Sequence, residues 1–324
     1  MKICDLKLGE EVTLDLVLTT VIKAQTKATK FRPASDFLNA TFSDGAATIK
    51  AVFWNFSASC PTPGAIYTIS ATVTTYDNAL QLTLKKLSLA TDQNMARFSN
   101  SLASADYLWA ELEKRISAIS NDKLRTVTSS IYNKYKEELL TSTSAKSIHH
   151  VGVGGNAIHA IEVHDFAADI AAYIATVQKR EVSIDLVRAG SLLHDIGKPF
   201  VYQMDGPAIS YTMLGNLHEH IVRGIIMLEQ ALLDLGEEYR PQITLLQHII
   251  ASHHGQLEYG SPVTPKCIEA YIINIADNIS VTTDVLYTAN AKAIKDGKNI
   301  TDKLFTLNNY EHILQSQVAE LLRK

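Results

Sequence analysis

The residues best suited to chemistry are histidines and aspartates that lie far apart in the sequence. Eleven histidines occur; none precedes His149, and ten lie between His149 and His254. The dipeptide His194-Asp195 stands at the end of an apolar run, SLLHDIGKPF. Adjacent helical residues point about 100° apart, so this pair converges best at a helix end, which Gly197 supplies. A buried carboxylate is unfavourable unless it is paired or binds a metal ion. A bound cation would therefore explain the pair.

Helical spacing predicts where further residues of this kind lie. Side chains three, four and seven residues apart share one face of a helix. Four apolar stripes each carry one polar residue: His159, His220, His253 and Asp277. One such residue alone is most often a core side chain bonded to the backbone, but the set favours a metal site. Imidazole and carboxylate ligands without a thiolate suit Mn²⁺, Fe²⁺ or Mg²⁺ rather than structural zinc.

The first ninety residues predict a small β-barrel. VTLDLVLTTVIKAQT alternates and is rich in Val and Thr. The tripeptide Ser43-Asp44-Gly45 and the dipeptide Asp77-Asn78 are turn signals between β runs. Five or so short strands with tight turns are typical of such a barrel. From Thr91 the polar segment TDQNMARFSNS interrupts the pattern, and we place a domain boundary there.

The rest of the chain predicts helices. Ser104 is expected to cap a helix through Ile119, and Asn121 or Asp122 one through Leu140. From His149 to about residue 294 we expect almost only helix and loop. YEHILQSQVAELLRK predicts an amphipathic helix that packs on its own domain, with self-association into a homo-oligomer as the alternative.

Composition sets the broad class of protein. The 324 residues suffice for two domains, and 46% of them are hydrophobic. The net charge of -4 argues against a strongly basic nucleic-acid binder, although it permits a local basic patch. Three separated cysteines without a CxxC favour a reducing compartment. Neither a signal peptide nor a membrane span is indicated, so we expect a cytoplasmic protein.

The order of the histidines and aspartates resembles the HD-domain superfamily of metal-dependent phosphohydrolases. The resemblance lies in HHVGVGGNAIH, SLLHDIGKPF, YTMLGNLHEHIVRG and IIASHHGQLEYGSPVTPKCIEAYIINIADNIS. With a barrel in front, the chain resembles the YhaM-type 3′→5′ exoribonucleases, which join an oligonucleotide-binding (OB) fold to an HD domain. The implied fold is two-domain α+β, an OB barrel followed by an all-α HD domain. The expected parts are an OB domain (1–90), a helical linker region (91–147), the HD domain (148–295) and a C-terminal helical extension (296–324).

The resemblance implies one site with two divalent cations, Mn²⁺ being favoured and Fe²⁺ or Mg²⁺ the alternatives. Asp195 would bridge the ions. The sequence leaves open which of His253 and His254 ligates, and whether His218 replaces the preferred His220. The implied ligand set is His159, His194, Asp195, His220, His253, His254 and Asp277.

The implied chemistry is attack by a metal-activated hydroxide on a phosphodiester. Besides Asp195, Lys198 from His-Asp-x-Gly-Lys is placed to meet a phosphate oxygen. His254 or His150 would protonate the leaving 3′-oxygen, with His253 as a further alternative. His149 and His150 match a His-His pair at the edge of the site.

The barrel is expected to bind single-stranded RNA, or DNA, through stacking aromatics and basic side chains. The segment KAQTKATKFR predicts a basic loop beside the groove. Alternation places Phe53 and Trp54 on opposite faces, so at most one of them lies inside. The candidate nucleic-acid contacts are Lys27, Lys30, Arg32, Lys50, Phe53 and Trp54.

Two other functions remain open. An HD enzyme that acts on small or cyclic nucleotides would carry the same ligands. Its cyclic-dinucleotide branch is disfavoured, because GQLEYGSP lacks the Glu and Gly-Tyr-Pro expected after the His-His pair. The second alternative is a non-catalytic nucleic-acid-binding protein, which the complete ligand set disfavours.

Overall fold

The computed structural model describes residues 2–27, 33–45, 47–77, 79–98, 101–146 and 149–323. Two compact units are present. The first comprises Met1–Asn100 with Met204–Ile209, and the second comprises Ser101–Gln203 with Ser210–Lys324. Among the helices of the described residues, none combines the length and apolar character that a membrane crossing requires.

The first unit is a closed barrel with the strand order β1-β2-β3-β5-β4. Its strands are β1 (Glu11–Gln25), β2 (Asp36–Ser43), β3 (Thr48–Trp54), β4 (Ile66–Tyr76) and β5 (Ala79–Leu89). The first half of β1 pairs with β4 and its second half with β2, while the parallel β3–β5 pair closes the barrel. Five strands in this order are an OB fold, so the predicted N-terminal fold is confirmed.

Alternation fills the barrel as the sequence predicts. Leu14, Leu16 and Leu18 point inward from β1 against the wholly buried Phe42. The Ser43-Asp44-Gly45 turn is present between β2 and β3. The Asp77 turn joins β4 to β5 as predicted, but Asn78 lies outside the described residues.

The second unit is helical. Its helices are α1 (Ala105–Ser117), α2 (Asp122–Lys134), α3 (Lys136–Thr141), α4 (Gly155–Thr176), α5 (Ile184–Leu193), α6 (Lys198–Val201), α7 (Met213–Leu235), α8 (Arg240–Ser252), α9 (Ile268–Lys295) and α10 (Gln315–Leu321). Between α6 and α7 the chain forms the strands β6 (Tyr202–Asp205) and β7 (Ala208–Tyr211), of which Tyr202, Gln203, Ser210 and Tyr211 belong to this unit. Ser104 and Asn121 cap α1 and α2 by accepting backbone N–H bonds, as predicted. The single helix expected through Leu140 is wrong, because Tyr135 leaves helical geometry (φ -121°, ψ 32°) and separates α2 from α3.

The predicted helical character of the second unit is confirmed. A short two-stranded hairpin of β6 and β7 interrupts it, with its tip at Gly206 (φ 57°) and Pro207. One further expectation needs correction: the C-terminal helix is shorter than the amphipathic pattern indicates. Residues 310–314 stay non-helical because Asn308 is left-handed (φ 59°) and isolated bridges hold Tyr310 and Ile313.

Helix α5 lies within the core of this unit and contacts α4, α8, α9 and α2. Gly190 permits the close packing, since a Cβ there would lie 2.5 Å from Ile249 Cδ1 and 2.8 Å from Ile273 Cδ1. The helices α1, α2 and α3 contribute buried side chains to the same core. The residues that follow α5 are therefore buried as well.

Candidate metal centre

His194 and Asp195 follow directly after α5. Helix α5 ends at Leu193 with His194 as its C-cap, and α6 begins three residues after Asp195. Both side chains are almost fully buried, at 1% and 3% exposure. His194 Nε2 lies 3.2 Å from Asp195 Oδ2. The helix end thus lets adjacent side chains converge, which agrees with the geometry expected from the sequence.

A first cluster joins residues from three parts of the helical unit. His159 from α4, His194 and Asp277 from α9 each offer a ligand atom, and these atoms lie within 4.8 Å of one another. His159 Nε2 lies 3.1 Å from Asp277 Oδ1 and 3.2 Å from His194 Nε2. It is also 3.3 Å from Asp195 Oδ2. The four residues therefore share one centre.

A second cluster lies on the other side of Asp195. His220 from α7 joins His253 and His254 after α8, again with ligand atoms within 4.8 Å of one another. The Nε2 atoms of His220 and His253 are each 3.5 Å from Asp195 Oδ1. The two carboxylate oxygens of Asp195 thus face different clusters, Oδ2 the first and Oδ1 the second, which is the arrangement of a bridging ligand. Both His253 and His254 belong to the cluster.

Backbone carbonyls fix the orientation of three imidazoles. A carbonyl oxygen only accepts, so the Nδ1–H of His194, His253 and His254 must donate. The acceptors are the carbonyls of Ser191 (2.7 Å), Ile250 (2.8 Å) and Tyr259 (2.8 Å). Their Nε2 lone pairs therefore remain available to the clusters, as in histidines that bind metals.

A side-chain network orients His159 in the same way. Ser280 Oγ donates to Glu162 Oε2 at 2.9 Å, which leaves its lone pair to accept from His159 Nδ1 at 3.1 Å. His150 Nε2 lies 2.9 Å from the same Glu162 oxygen. Ser280 and Glu162 were not predicted from the sequence. The spacing in the sequence could have indicated them, because Glu162 lies three residues after His159 and Ser280 three residues after Asp277, which places each pair on one helix face.

Electrostatics keeps most of these groups in the states that bind cations. His159 is the exception: burial opposes its protonation, but its contacts with Asp195 and Asp277 raise its pKa. Burial opposes ionisation of Asp195, yet Lys198 and His194 hold its pKa well below the ordinary value. Burial likewise opposes ionisation of Asp277, but hydrogen bonding to His159 holds its pKa low. Burial lowers the pKa of His220 and His253, and lowers that of His254 to about 4. Ionised carboxylates and neutral imidazoles are the ligand forms.

Unsatisfied polar atoms indicate what the centre accommodates. Among the described residues, both Asp195 oxygens, both His220 nitrogens and His253 Nε2 are buried without a hydrogen-bond partner. Lys198 Nζ forms an ion pair with Asp195 Oδ2 at 2.6 Å, though without hydrogen-bond geometry. Each unsatisfied buried group costs about 1–3 kcal/mol. Several convergent electron pairs at one place fit a pair of divalent cations.

The kink in α7 decides between His218 and His220. Glu219 adopts φ 56°, ψ 170° inside the helix, a left-handed conformation that non-glycine residues rarely adopt. His220 then turns into the centre, with its Nδ1 3.5 Å from Glu219 Oε2, while His218 stays exposed. Gly197 permits this approach, since a Cβ on it would lie 2.0 Å from the His220 carbonyl oxygen.

A pocket of about 480 Å³ opens beside the second cluster. His149, Lys198, His220 and His254 are among its lining residues. His149 is buried with both ring nitrogens unpartnered among the described residues, and burial lowers its pKa to about 3. His150 was predicted to act in catalysis, but it points to Glu162 and is not part of the pocket lining.

The barrel residues divide into exposed and buried ones. Trp54 is 50% exposed and packs on Phe37 with ring centroids 5.0 Å apart, and Lys27 and Lys50 are exposed. Phe53 is half-buried and packs against the barrel core, because alternation turns it away from Trp54. The residues Lys30, Phe31 and Arg32 lie outside the described part of the chain.

The basic segment KAQTKATKFR is not wholly a loop, because Lys23, Ala24 and Gln25 continue β1. A groove of about 280 Å³ on the barrel surface is lined by Lys50 and by Tyr76, which is 69% exposed. Tyr76 was not predicted to contact nucleic acid. Its signal was its position at the end of β4, next to the Asp77 turn.

Comparison with known proteins adds two findings. Residues 156–282 match the model of a family described as the HD domain. Among solved structures, the chain is similar to the second OB-fold domain of replication protein A from Methanococcus maripaludis. That likeness has 17% identity and a TM-score of 0.26, and it covers 28% of this chain and 95% of the other. The barrel assignment rests on its strand order instead. The HD match spans both clusters but begins after His149 and His150.

Proposed function

We propose that the chain is a metal-dependent 3′→5′ exoribonuclease that hydrolyses phosphodiester bonds of single-stranded RNA. The HD match implies a metal-dependent phosphohydrolase. The observation that carries the proposal is the position of Asp195, whose two oxygens each face one ligand cluster. The RNA preference and the direction of digestion come from the resemblance alone.

The first cation would be held by His159, His194, Asp195 and Asp277, and the second by Asp195, His220, His253 and His254. Such ions activate water and stabilise negative charge on a phosphoryl group. Mn²⁺ remains the favoured ion, since nitrogen and oxygen ligands without thiolate suit it.

Lys198 would bind a phosphate oxygen. It is the first residue of α6, it is 8% exposed, and it lines the pocket. Asp195 holds its ammonium group beside both clusters. A fixed positive charge at this place stabilises charge that develops on the phosphoryl oxygens.

His254 is a poor donor of the proton for the leaving 3′-oxygen. Its Nδ1–H already donates to the Tyr259 carbonyl, and with a pKa of about 4 the ring is neutral near pH 7. Its geometry supports the role of a ligand instead. Of the predicted donors, His150 stays in the proposal, with Glu162 2.9 Å from its Nε2.

The barrel would bind the strand on its exposed face. OB folds bind oligonucleotides on the face of strands 2 and 3 and on neighbouring loops. Lys50 and Trp54 lie on the same face of β3, because each is two positions from Val52, which stands between them. Tyr76 lines the same groove as Lys50. One aromatic ring per base and a nearby cation are the elements of single-strand binding.

Action on small nucleotides is the second candidate, because a pocket of about 480 Å³ is large enough for one nucleotide. One panel separates the candidates: end-labelled single-stranded RNA, single-stranded DNA and cyclic mononucleotides, each with Mn²⁺ and with chelator. A ladder that shortens from the 3′ end supports the exonuclease. Turnover of cyclic mononucleotides alone supports the small-nucleotide enzyme. Binding of RNA without chelator-sensitive turnover of any substrate would leave a non-catalytic binder.

The variant Asp195→Asn tests the centre itself. It keeps the shape of the side chain but replaces one oxygen by an N–H donor, so we expect loss of metal and of turnover together. Metal content and circular dichroism are measured on the same sample. Asp234→Asn is the matched control, because Asp234 pairs with Lys134 on the surface. Retention of both metals and of the hydrolysis rate by Asp195→Asn would exclude the mechanism.

The variant Trp54→Ala tests the barrel. Loss of one base stack weakens binding by about 1–3 kcal/mol, which is roughly 5–150-fold in the dissociation constant for single-stranded RNA. Trp54→Phe keeps a ring and should retain most of the affinity. Equal affinities of wild type and Trp54→Ala for single-stranded RNA would show that Trp54 does not contact the RNA.

A further inference from the structure

The pocket beside the second cluster has features that metal binding does not explain. All its lining residues belong to the helical unit. Its volume of about 480 Å³ falls within the ~300–1,000 Å³ that small-molecule sites occupy. Ligands of the second cation, His220 and His254, form one side. A substrate that reaches these residues must therefore place some of its atoms in the pocket.

Tyrosines supply an aromatic lining. Tyr202 on β6 and Tyr211 on β7 both line the pocket, with ring centroids 5.1 Å apart. Tyr259, which follows α8, adds a third ring that is 66% exposed. Lys146 Nζ lies 6.0 Å from the centre of the Tyr211 ring. Tyr202 and Tyr211 thus present stacking surfaces beside the candidate metal centre.

His149 supplies two buried ring nitrogens that have no hydrogen-bond partner among the described residues. His149 is 7% exposed. Its ring centroid lies 4.8 Å from that of His159, so it adjoins the first cluster while lining the pocket. A buried imidazole offers one donor and one acceptor. A ligand with sugar hydroxyls, or with the edge of a base, would satisfy them.

We propose that this pocket binds the 3′-terminal nucleotide of the substrate, with its base against Tyr202 and Tyr211 and a hydrogen bond to His149. The inference rests on the proposed function. A pocket of this size holds one unpaired nucleotide but not a base pair, so a paired 3′ end has to open before it enters. Because every base has a π-face, stacking on tyrosine tolerates any sequence. Terminal nucleotides would therefore be bound without regard to base identity.

The test compares two product-like probes, adenosine 5′-monophosphate and ribose 5-phosphate, by calorimetry on the metal-loaded full chain. The ratio of their dissociation constants isolates the contribution of the base, since both probes carry the same phosphate and sugar. We expect the nucleotide to bind roughly 5–150-fold more tightly. Tyr211→Leu should bring the ratio close to one, and Tyr211→Phe should preserve it.

The matched control is Tyr173→Leu, which removes a 56% exposed tyrosine of α4 outside the pocket lining and should keep the wild-type ratio. If Tyr211→Leu fails to fold, Tyr259→Leu provides a second variant at an exposed position, and it should reduce the ratio. A wild-type ratio near one overturns the inference whatever the variants do.

The two proposals fail in different ways. If the protein shortens RNA but the wild-type ratio of dissociation constants is near one, the exonuclease proposal stands and the pocket proposal fails. If the ratio depends on the base but no chelator-sensitive RNA hydrolysis occurs, the pocket proposal stands and the exonuclease proposal fails.

His149→Phe tests the hydrogen bond. It keeps a ring but removes the hydrogen-bonding atoms, so we expect about 2–13-fold weaker binding of both probes, or of the nucleotide alone if the base is the partner. Unchanged binding of both probes would remove His149 from the pocket contact.

Discussion

Replacement of Ser280 by alanine should weaken metal binding at the first cluster. Ser280 does not face the clusters as a ligand. It accepts from His159 Nδ1 at 3.1 Å and donates to Glu162 at 2.9 Å. Without this hydroxyl the imidazole loses the partner that fixes its tautomer and keeps its Nε2 lone pair towards Asp277 and Asp195. Glu162 retains His150, so the rest of the network stays.

The expected magnitude follows from the position of Ser280 behind a ligand. Loss of such an outer partner typically weakens metal affinity by about 10–100-fold, which is roughly 1.4–2.7 kcal/mol. The hydroxyl is fully buried, so water cannot easily replace it. The effect should be confined to one of the two sites, because the second cluster has no contact with Ser280.

The assay is a competition titration of Mn²⁺ against a chelator, which resolves the affinities of two sites. Thr283→Val is the matched control: Thr283 lies one turn further along α9, and its hydroxyl donates to the backbone carbonyls of Ile279 and Ser280. We expect one affinity to fall in Ser280→Ala and neither to fall in Thr283→Val. Two wild-type affinities in Ser280→Ala would refute the role assigned to this network.

Three further outcomes follow from the helical unit. In metal-free protein His149 has a pKa of about 3, against 6.5 for an ordinary histidine. Between these pH values His149 is protonated in the unfolded state and neutral in the folded state, so the free energy of unfolding rises with pH there. His149→Gln should reduce that slope in urea unfolding by up to about 1.4 kcal/mol per pH unit, and an unchanged slope would contradict the burial argument. Tyr132→Phe removes the bond to the Leu192 carbonyl (2.7 Å) and should lower the unfolding free energy by about 1–3 kcal/mol, as measured by the same method. Gly197→Ala places a Cβ 2.0 Å from the His220 carbonyl, so metal titration should show a weakened second site, whereas two intact sites would mean that the backbone yields freely.

Local sequence signals were sufficient for the barrel. Alternating Val and Thr residues and the Asp44-Gly45 turn act over a few positions, so strands and turns follow from the sequence. Strand β3 shows what these local signals do not determine. Alternation requires Phe53 and Trp54 to point in opposite ways, but only the closed barrel decides that Phe53 packs inside. The strand order likewise depends on contacts between distant segments.

For the candidate site, residue types were predictable and partners were not. Helical stripes pointed to His159, His220 and Asp277 because each is polar on an apolar face. The distinction between His149 and His150 was not available, since it depends on the left-handed backbone of His150 (φ 44°). The β6–β7 hairpin was missed because two four-residue strands carry too little pattern to compete with the helices around them.

The location of Asp195 links folding and chemistry. Its carboxylate follows a central helix, and its neighbours come from α4, α7, α8, α9 and the α5–α6 turn, so only the folded helical unit gathers them. Without cations this gathering leaves buried nitrogen and oxygen atoms unpaired, which opposes folding. Bound cations reverse the sign of that contribution, because they bind the folded arrangement and not the extended chain. The arrangement that is unfavourable as a protein core is therefore favourable as a ligand set. This is the physical reason to interpret these histidines as a metal centre rather than as core residues.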